Sequence, residues 1–81
     1  VDVYFYTRPN CHLCEEAKIV MDMVKEEIDM MLQERNIDGC DEWTERYGLM
    51  IPVVEYNGEI LQYGHIDYVS VFTKLKQEIN K

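Results

Sequence analysis

The sequence lacks any apolar run approaching the roughly 20 residues of a membrane-spanning helix. It also lacks the charged n-region and apolar h-region of a secretory signal. Cysteine is scarce: three residues, an odd count and too few for a disulfide scaffold. These absences together make a reducing cytoplasm the expected location. The sequence starts at Val1 rather than Met, so an N-terminal piece outside it is allowed for. Basic residues are few, with 8 Lys and Arg against 16 Asp and Glu and a formal net charge of -8. Nucleic-acid affinity comes mainly from neutralising phosphates, so this balance argues against that partner. It argues equally against an anionic membrane surface. Repeats, linkers and low-complexity segments are missing as well. What remains is an ordinary apolar share, 47% of 81 residues, which reads as one small folded domain spanning 1–81.

The chain opens on Val1-Asp2-Val3-Tyr4-Phe5-Tyr6, rich in β-formers and mostly apolar, a buried strand. Thr7 to Asn10 is a short loop, with Asn10 the expected N-cap of a helix and Glu15 and Glu16 placing acid in its first turn. That helix is expected to bury Leu13, Ala17, Val20, Val24 and Ile28 at 3-4 spacing, with Glu16, Lys18, Asp22 and Lys25 outside. No Gly or Pro falls between Asn10 and Gly39, and helical spacing survives through Met31 and Leu32. Local pattern alone allows one helix to about Arg35. A break near Glu27–Asp29 with a strand at Met30–Asn36 is preferred, because otherwise the sheet has only three strands.

Asp38-Gly39-Cys40-Asp41 is a turn offering two N-caps to a short helix, with Trp43 and Tyr47 on one face and Gly48 as its stop. A strand follows to Tyr56. Asn57-Gly58 is a strong hairpin signal, and Glu59–Tyr63 is the return strand. Gly64-His65-Ile66-Asp67 is a second turn. Asp67 caps the last helix, and Ile66 and Val71 are spaced for a hydrophobic staple. The last helix buries Tyr68, Val71, Phe72, Leu75 and Ile79. The order is β-α-β-α-β-β-α. A right-handed parallel crossover at the start and an antiparallel hairpin near the end imply a mixed four-stranded sheet with helices on both faces.

Cys11 and Cys14 open the first helix. Positions i and i+3 share a helix face, so the pair can close a tight disulfide across the first turn. Free N–H groups and the helix dipole at that end favour an anion, which lowers a thiol pKa and makes Cys11 a nucleophile. A C-x-x-C beside a βαβ pattern reads as a thioredoxin-like redox motif. Two other readings stay open. The pair is a structural or incidental one, or it is half of a metal site completed by Cys40 and one of His12 or His65. Cys40 itself reads as a reactive thiol, a glutathionylation site or a small buried hydrophobe.

The chain as a whole resembles a glutaredoxin, or a close glutaredoxin-like relative, of the thioredoxin fold. Tyr6-Thr7-Arg8-Pro9-Asn10-Cys11-x-x-Cys14 resembles the active-site opening of glutaredoxins and of the small glutaredoxin-like donors to ribonucleotide reductase. Tyr47-Gly48-x-x-Ile51-Pro52-Val53-Val54 resembles the segment carrying the family's cis-proline. Asn57-Gly58 falls on its hairpin, and Gly64 and Asp67 fall on the first Gly and the Asp of its Gly-Gly-x-Asp turn. Two departures weaken the carry-over of glutathione binding. His12-Leu13 replaces the Pro-Tyr of classical members, and His65 stands where the second Gly is expected.

The resemblance implies an α/β thioredoxin fold and a dithiol-disulfide oxidoreductase acting on protein or glutathione mixed disulfides. Cys11 attacks and Cys14 resolves. Only about one X-Pro bond in twenty is cis, yet the resemblance makes Ile51–Pro52 cis and turns it toward the cysteines. The Ile51 backbone is then free to pair with an extended substrate. Arg8, Gly64 and Asp67 are candidates for holding glutathione or a peptide, with a plain helix cap the simpler role for Asp67. Arg46 is a weaker candidate for the same task. His12 either steadies the thiolate when protonated or shapes the partner surface. No tightly bound cofactor is expected. Glutathione enters as a co-substrate, and the electron donor is glutathione or a flavoprotein reductase. A monomer is expected. The competing classes are a binding module that uses the fold without turnover, and a thiol metal or iron–sulfur site on Cys11 and Cys14.

Overall fold

Alternation in the first strand sets the architecture. Strand β1, Asp2–Thr7, sends Val3 and Phe5 to one side and Tyr4 and Tyr6 to the other, as a period of two requires. A computed structural model, which describes residues 1–81, shows what covers each side. Val3 and Phe5 join Ala17, Met21 and Val24 of helix α1 (His12–Glu27) and Val71 and Leu75 of helix α3 (Tyr68–Ile79) in an aliphatic core. Tyr6 instead meets Tyr47 of helix α2, Asp41–Tyr47, together with Ile37 and Val53. Both faces of the sheet are therefore covered, and β1 is buried between them.

Strand β2, Met31–Asn36, pairs parallel with β1 from Asp2↔Met31 to Thr7↔Asn36. Strand β3, Val53–Tyr56, pairs antiparallel with the other edge of β1, and strand β4, Glu59–Tyr63, with β3. The order across the mixed sheet is β2-β1-β3-β4. The strand expected at Met30–Asn36 thus exists, one residue shorter. Local helical spacing loses there to pairing with β1, beginning with the Met31 N–H to Val1 carbonyl bond of 2.7 Å. Asn57 and Gly58 both have positive φ, 53° and 82°, the pattern of a type I′ hairpin turn.

Several local expectations are corrected. The N-cap of α1 is Cys11, not Asn10. Asn10 takes a left-handed conformation, φ 59°, one residue before that cap, a conformation that Asn tolerates better than most residues. The stripe that α1 docks on the sheet is Cys14, Ala17, Met21 and Val24. Leu13 is consequently 47% exposed and Val20 only half-buried. Between β2 and α2 the chain makes a 3-10 turn, Ile37–Gly39, and the N-cap of α2 is Cys40, which forms no side-chain cap bond. The start of the last helix follows expectation: Asp67 Oδ2 accepts the Ser70 N–H at 3.0 Å, and Ile66 and Val71 are both buried in the aliphatic core. Of its expected buried residues only Val71 and Leu75 are fully so, with Tyr68, Phe72 and Ile79 half-buried against the core.

Candidate active site

Connectivity gathers the site at one end of the sheet. β1 leaves the sheet at Thr7 and runs into the Cys11–Cys14 turn. Its neighbour β3 enters directly after Pro52, with Tyr6 opposite Val53. β4 leaves beside that entry, with Tyr63 opposite Val53, and continues into Gly64–Asp67. β2 ends there too, at Asn36 opposite Thr7. Four loops from different parts of the sequence therefore share one end of the sheet, as the crossover and hairpin topology demands.

Cys11 and Cys14 are joined as a disulfide, with Cα atoms 5.2 Å apart. They are not equivalent. Cys11 is half-buried at the N-cap, while Cys14 is 5% exposed beneath it. The Cys14 N–H points at Cys11 Sγ across 3.2 Å. Cys11 thus takes the place usually held by a Ser or Asp cap oxygen, where the helix presents its unpaired N–H groups to an acceptor.

The segment before β3 is held by its neighbours. Ile51–Pro52 is cis, and Pro52 is buried. The Gly64 N–H donates to the carbonyls of Met50, at 3.0 Å, and of Pro52, at 2.9 Å. Gly64 does this at φ +79°, a backbone geometry that side chains disfavour. Gly64 therefore clamps the proline loop. The expectation of a free Ile51 backbone needs correction: its N–H already donates to the Tyr47 carbonyl at 3.1 Å. The chain turns tightly out of α2, and that turn engages the donor. No internal backbone bond uses the Ile51 carbonyl.

Asp67 is engaged as a cap, and the Ser70 backbone bond first of all holds its carboxyl below the ordinary value. Its own N–H donates to Gln62 Oε1 at 2.8 Å. Arg8 is engaged too: its Nε and Nη2 donate to Asp38 Oδ1 at 3.2 and 3.0 Å. His12 is exposed beside Glu15 and Glu16, at 4.0 and 3.4 Å. Arg46 lies over the Tyr47 ring at 5.2 Å. Leu13 between the cysteines and Leu49 ahead of Ile51 are exposed apolar side chains, Leu49 fully so.

A groove of about 300 Å³ opens beside the disulfide, with Arg8, Cys11, Cys14, Glu15, Lys18 and Glu34 in its wall. Sequence reading missed the parts played by Lys18, Glu34 and Asp38. Parallel pairing of β2 with β1 is what brings Glu34 and Asp38 alongside, and only a fixed register could have revealed them. No group of three or more His, Cys, Asp or Glu side chains is arranged to hold a metal ion, so Cys40 and the histidines do not assemble with Cys11 and Cys14. No helix is long and apolar enough to cross a membrane.

Solved structures share this architecture. Protein XcR50 from X. campestris matches with a TM-score of 0.79 at 24% identity, covering 93% of this chain and 96% of its own. Protein Ne2328 from Nitrosomonas europaea matches at 0.73 and 26% identity, covering 89% and 87%. Thioredoxin 1 from Thermosipho africanus TCF52B matches at 0.72 with only 7% identity, covering 99% and 96%. The class is therefore the thioredoxin fold, here with a cysteine pair at disulfide distance on the first helix. Within that class, residues 2–76 match the model of the glutaredoxin-like domain family (DUF836), and the chain belongs to that family.

Proposed function

We propose that this domain is a dithiol-disulfide oxidoreductase that reduces disulfides through Cys11 and Cys14. The observation that carries the reading is the asymmetry of the pair: a half-buried Cys11 with a helix N–H aimed at its sulfur, and a buried Cys14 behind it. In the reduced protein the Cys11 thiolate attacks one sulfur of a substrate disulfide. A Cys11–substrate bond forms, and the other substrate sulfur leaves as a thiolate. The Cys14 thiolate then attacks Cys11 Sγ, which closes the Cys11–Cys14 bond and releases the second substrate thiolate. Two electrons pass from the protein dithiol to the substrate, and a donor must restore them.

Disulfide-bearing proteins are the proposed substrates. Exposed Leu13, in the first turn of α1, and Leu49, in the turn ahead of Ile51, offer apolar contact, and the Ile51 carbonyl offers an acceptor to an extended segment. Glutathione or a flavoprotein reductase supplies the electrons. The proposal places the domain in the cytoplasm as a monomer.

The test is a pair of substitutions. Cys11→Ser is expected to abolish disulfide reduction. Cys14→Ser is expected to keep the first attack and accumulate a mixed disulfide on Cys11, read by intact mass. The thiolate absorbance of reduced Cys11 should titrate below the ordinary value of about 8.5. An unshifted Cys11 that forms no adduct overturns the reading. Activity that survives Cys11→Ser does so as well, and leaves a binding module.

A further inference from the structure

We propose that Asp38 is a specificity-determining residue of the Cys11–Cys14 site: by holding Arg8 it disfavours anionic thiols and disulfides such as glutathione and leaves the groove to neutral and cationic ones. The inference rests on the oxidoreductase reading above.

The groove beside the disulfide has two cations in its wall, Arg8 and Lys18, and each is already paired inside the chain. Arg8 directs both Nε and Nη2 at Asp38 Oδ1. Asp38 is itself placed by the chain. It lies in the 3-10 turn that follows β2, with its N–H on Asn36 Oδ1 at 2.9 Å, and Asn36 is the register partner of Thr7. Lys18 Nζ lies between Asp22 Oδ1, at 3.2 Å, and Glu34 Oε2, at 3.7 Å. Glu15 and Glu34 add carboxylates to the wall, and exposed Glu16 lies just beyond, next to His12. A ligand carboxylate therefore meets no unpaired cation there. It must share the Arg8 guanidinium with Asp38 or displace it, and it approaches against the wall's own negative charge. A neutral or ammonium-bearing ligand meets no such penalty. The Arg8–Asp38 pair is about half-exposed, so the selection is one of several-fold rather than of exclusion.

The experiment uses the full chain, reduced with dithiothreitol and desalted. Three symmetric disulfides serve as probes: cystamine, with two ammonium groups; hydroxyethyl disulfide, neutral; and glutathione disulfide, anionic. Closure of the Cys11–Cys14 bond is followed by acid quench and mass. Each rate is divided by that of free dithiothreitol with the same probe, which removes the probe's intrinsic reactivity. At low salt the expected order is cystamine, then hydroxyethyl disulfide, then glutathione disulfide, each step about three- to fivefold. The spread should collapse toward unity near 1 M salt, where screening acts within about 3 Å. Asp38→Asn should raise the glutathione disulfide rate about threefold and leave hydroxyethyl disulfide within about twofold of its starting value. Glu34→Gln should act in the same direction by loosening the hold on Lys18.

Glutathione disulfide reacting as fast as cystamine at low salt overturns the inference. So does an Asp38→Asn variant that changes all three probes alike, since that reports a loosened loop rather than a freed cation. If none of the three probes reacts, the oxidoreductase reading fails and takes this inference with it. Reaction without charge order sinks this inference alone.

Discussion

The two faces of the sheet are built from different chemistry. Under α1 and α3 lies an aliphatic core in which Val3, Phe5, Met21, Val24, Val71 and Leu75 have no exposed surface. Under α2 the interior is aromatic and polar. Tyr6 stacks on Tyr47 at 4.1 Å and meets Trp43 edge-on at 5.7 Å. Tyr47 donates its hydroxyl to the buried Glu55 at 2.6 Å. The Arg35 guanidinium lies 4.0 Å from the Tyr4 ring and 4.9 Å from that of Trp43, and it donates to the Tyr6 hydroxyl at 2.9 Å. The first face supports the helix that carries the cysteines. The second supports the turn that leads into Pro52. The hydrophobic effect is non-directional, whereas hydrogen bonds and ring geometry fix orientation. The helix that carries the cysteines is thus seated by bulk, and the proline loop by directional bonds.

Removing bulk from the aliphatic face should have the largest effect. Phe5→Ala is expected to cost about 3–5 kcal/mol, a large part of the 5–15 kcal/mol that typically holds a domain together. Urea unfolding would show it as a lower midpoint. A loss under about 1.5 kcal/mol would mean that the two faces are not so different.

Tyr47→Phe comes next, since it leaves Glu55 without its donor at little change in volume. The expected cost is about 1–3 kcal/mol. It should also change the alkaline limb of stability. Burial, reinforced by the Glu55 bond, raises the Tyr47 hydroxyl well above its ordinary value near 10. The folded state therefore prefers the protonated form. That contribution is fully present below about pH 10 and is lost as pH rises from there toward the folded value. In Tyr47→Phe this part of the alkaline fall should be missing. Identical limbs in the two proteins would show that Tyr47 is no drier than an ordinary tyrosine.

Arg35→Met keeps the stem and removes the charge. It should cost about 0.5–2 kcal/mol through the rings and the Tyr6 hydroxyl. A double-mutant cycle with Tyr6→Phe should give a coupling between the two, and additive losses would separate Arg35 from the aromatic group.

The smallest effect is expected for Asp67→Ala, at an exposed helix cap. Its lowered carboxyl value means the cap's contribution is present above an ordinary carboxylate pKa near 3.9 and is lost as pH falls through the folded value. A modest drop in midpoint at neutral pH should therefore vanish in acid. The exchange rate with glutathione disulfide should stay unchanged. A rate that falls with Asp67→Ala would make Asp67 a ligand contact rather than a cap.

Features carried by adjacent residues were legible before the fold was known. The C-x-x-C pair, the Asn57-Gly58 turn and the Asp67 cap with its Ile66–Val71 staple are each local chemistry at fixed spacing. The boundary at Met31 was legible only through a global demand, the need for a fourth strand, because the local spacing fits a helix equally well. Cys11 in place of Asn10 at the cap was not legible. Asn is the better cap by preference, and only the path of the loop decides which residue meets the helix N–H. Arg8 on Asp38 joins positions 30 apart, and Lys18 on Glu34 joins positions 16 apart. Both follow from a strand register that no short window of sequence contains.

The single tryptophan gives the aromatic face an optical signature. Trp43 sits on α2 with the Tyr6 ring at its edge and the Arg35 charge against its face, and Tyr6 lies on the strand that runs on to Cys11. Excitation absorbed by Tyr6 or Tyr47 has an indole within easy transfer distance, and the emission of that indole is tuned by a nearby positive charge. Separation of α2 from the sheet would alter both at once. The chain therefore carries a native fluorophore on the layer behind its proline loop, and steady-state fluorescence can follow that layer without any added label.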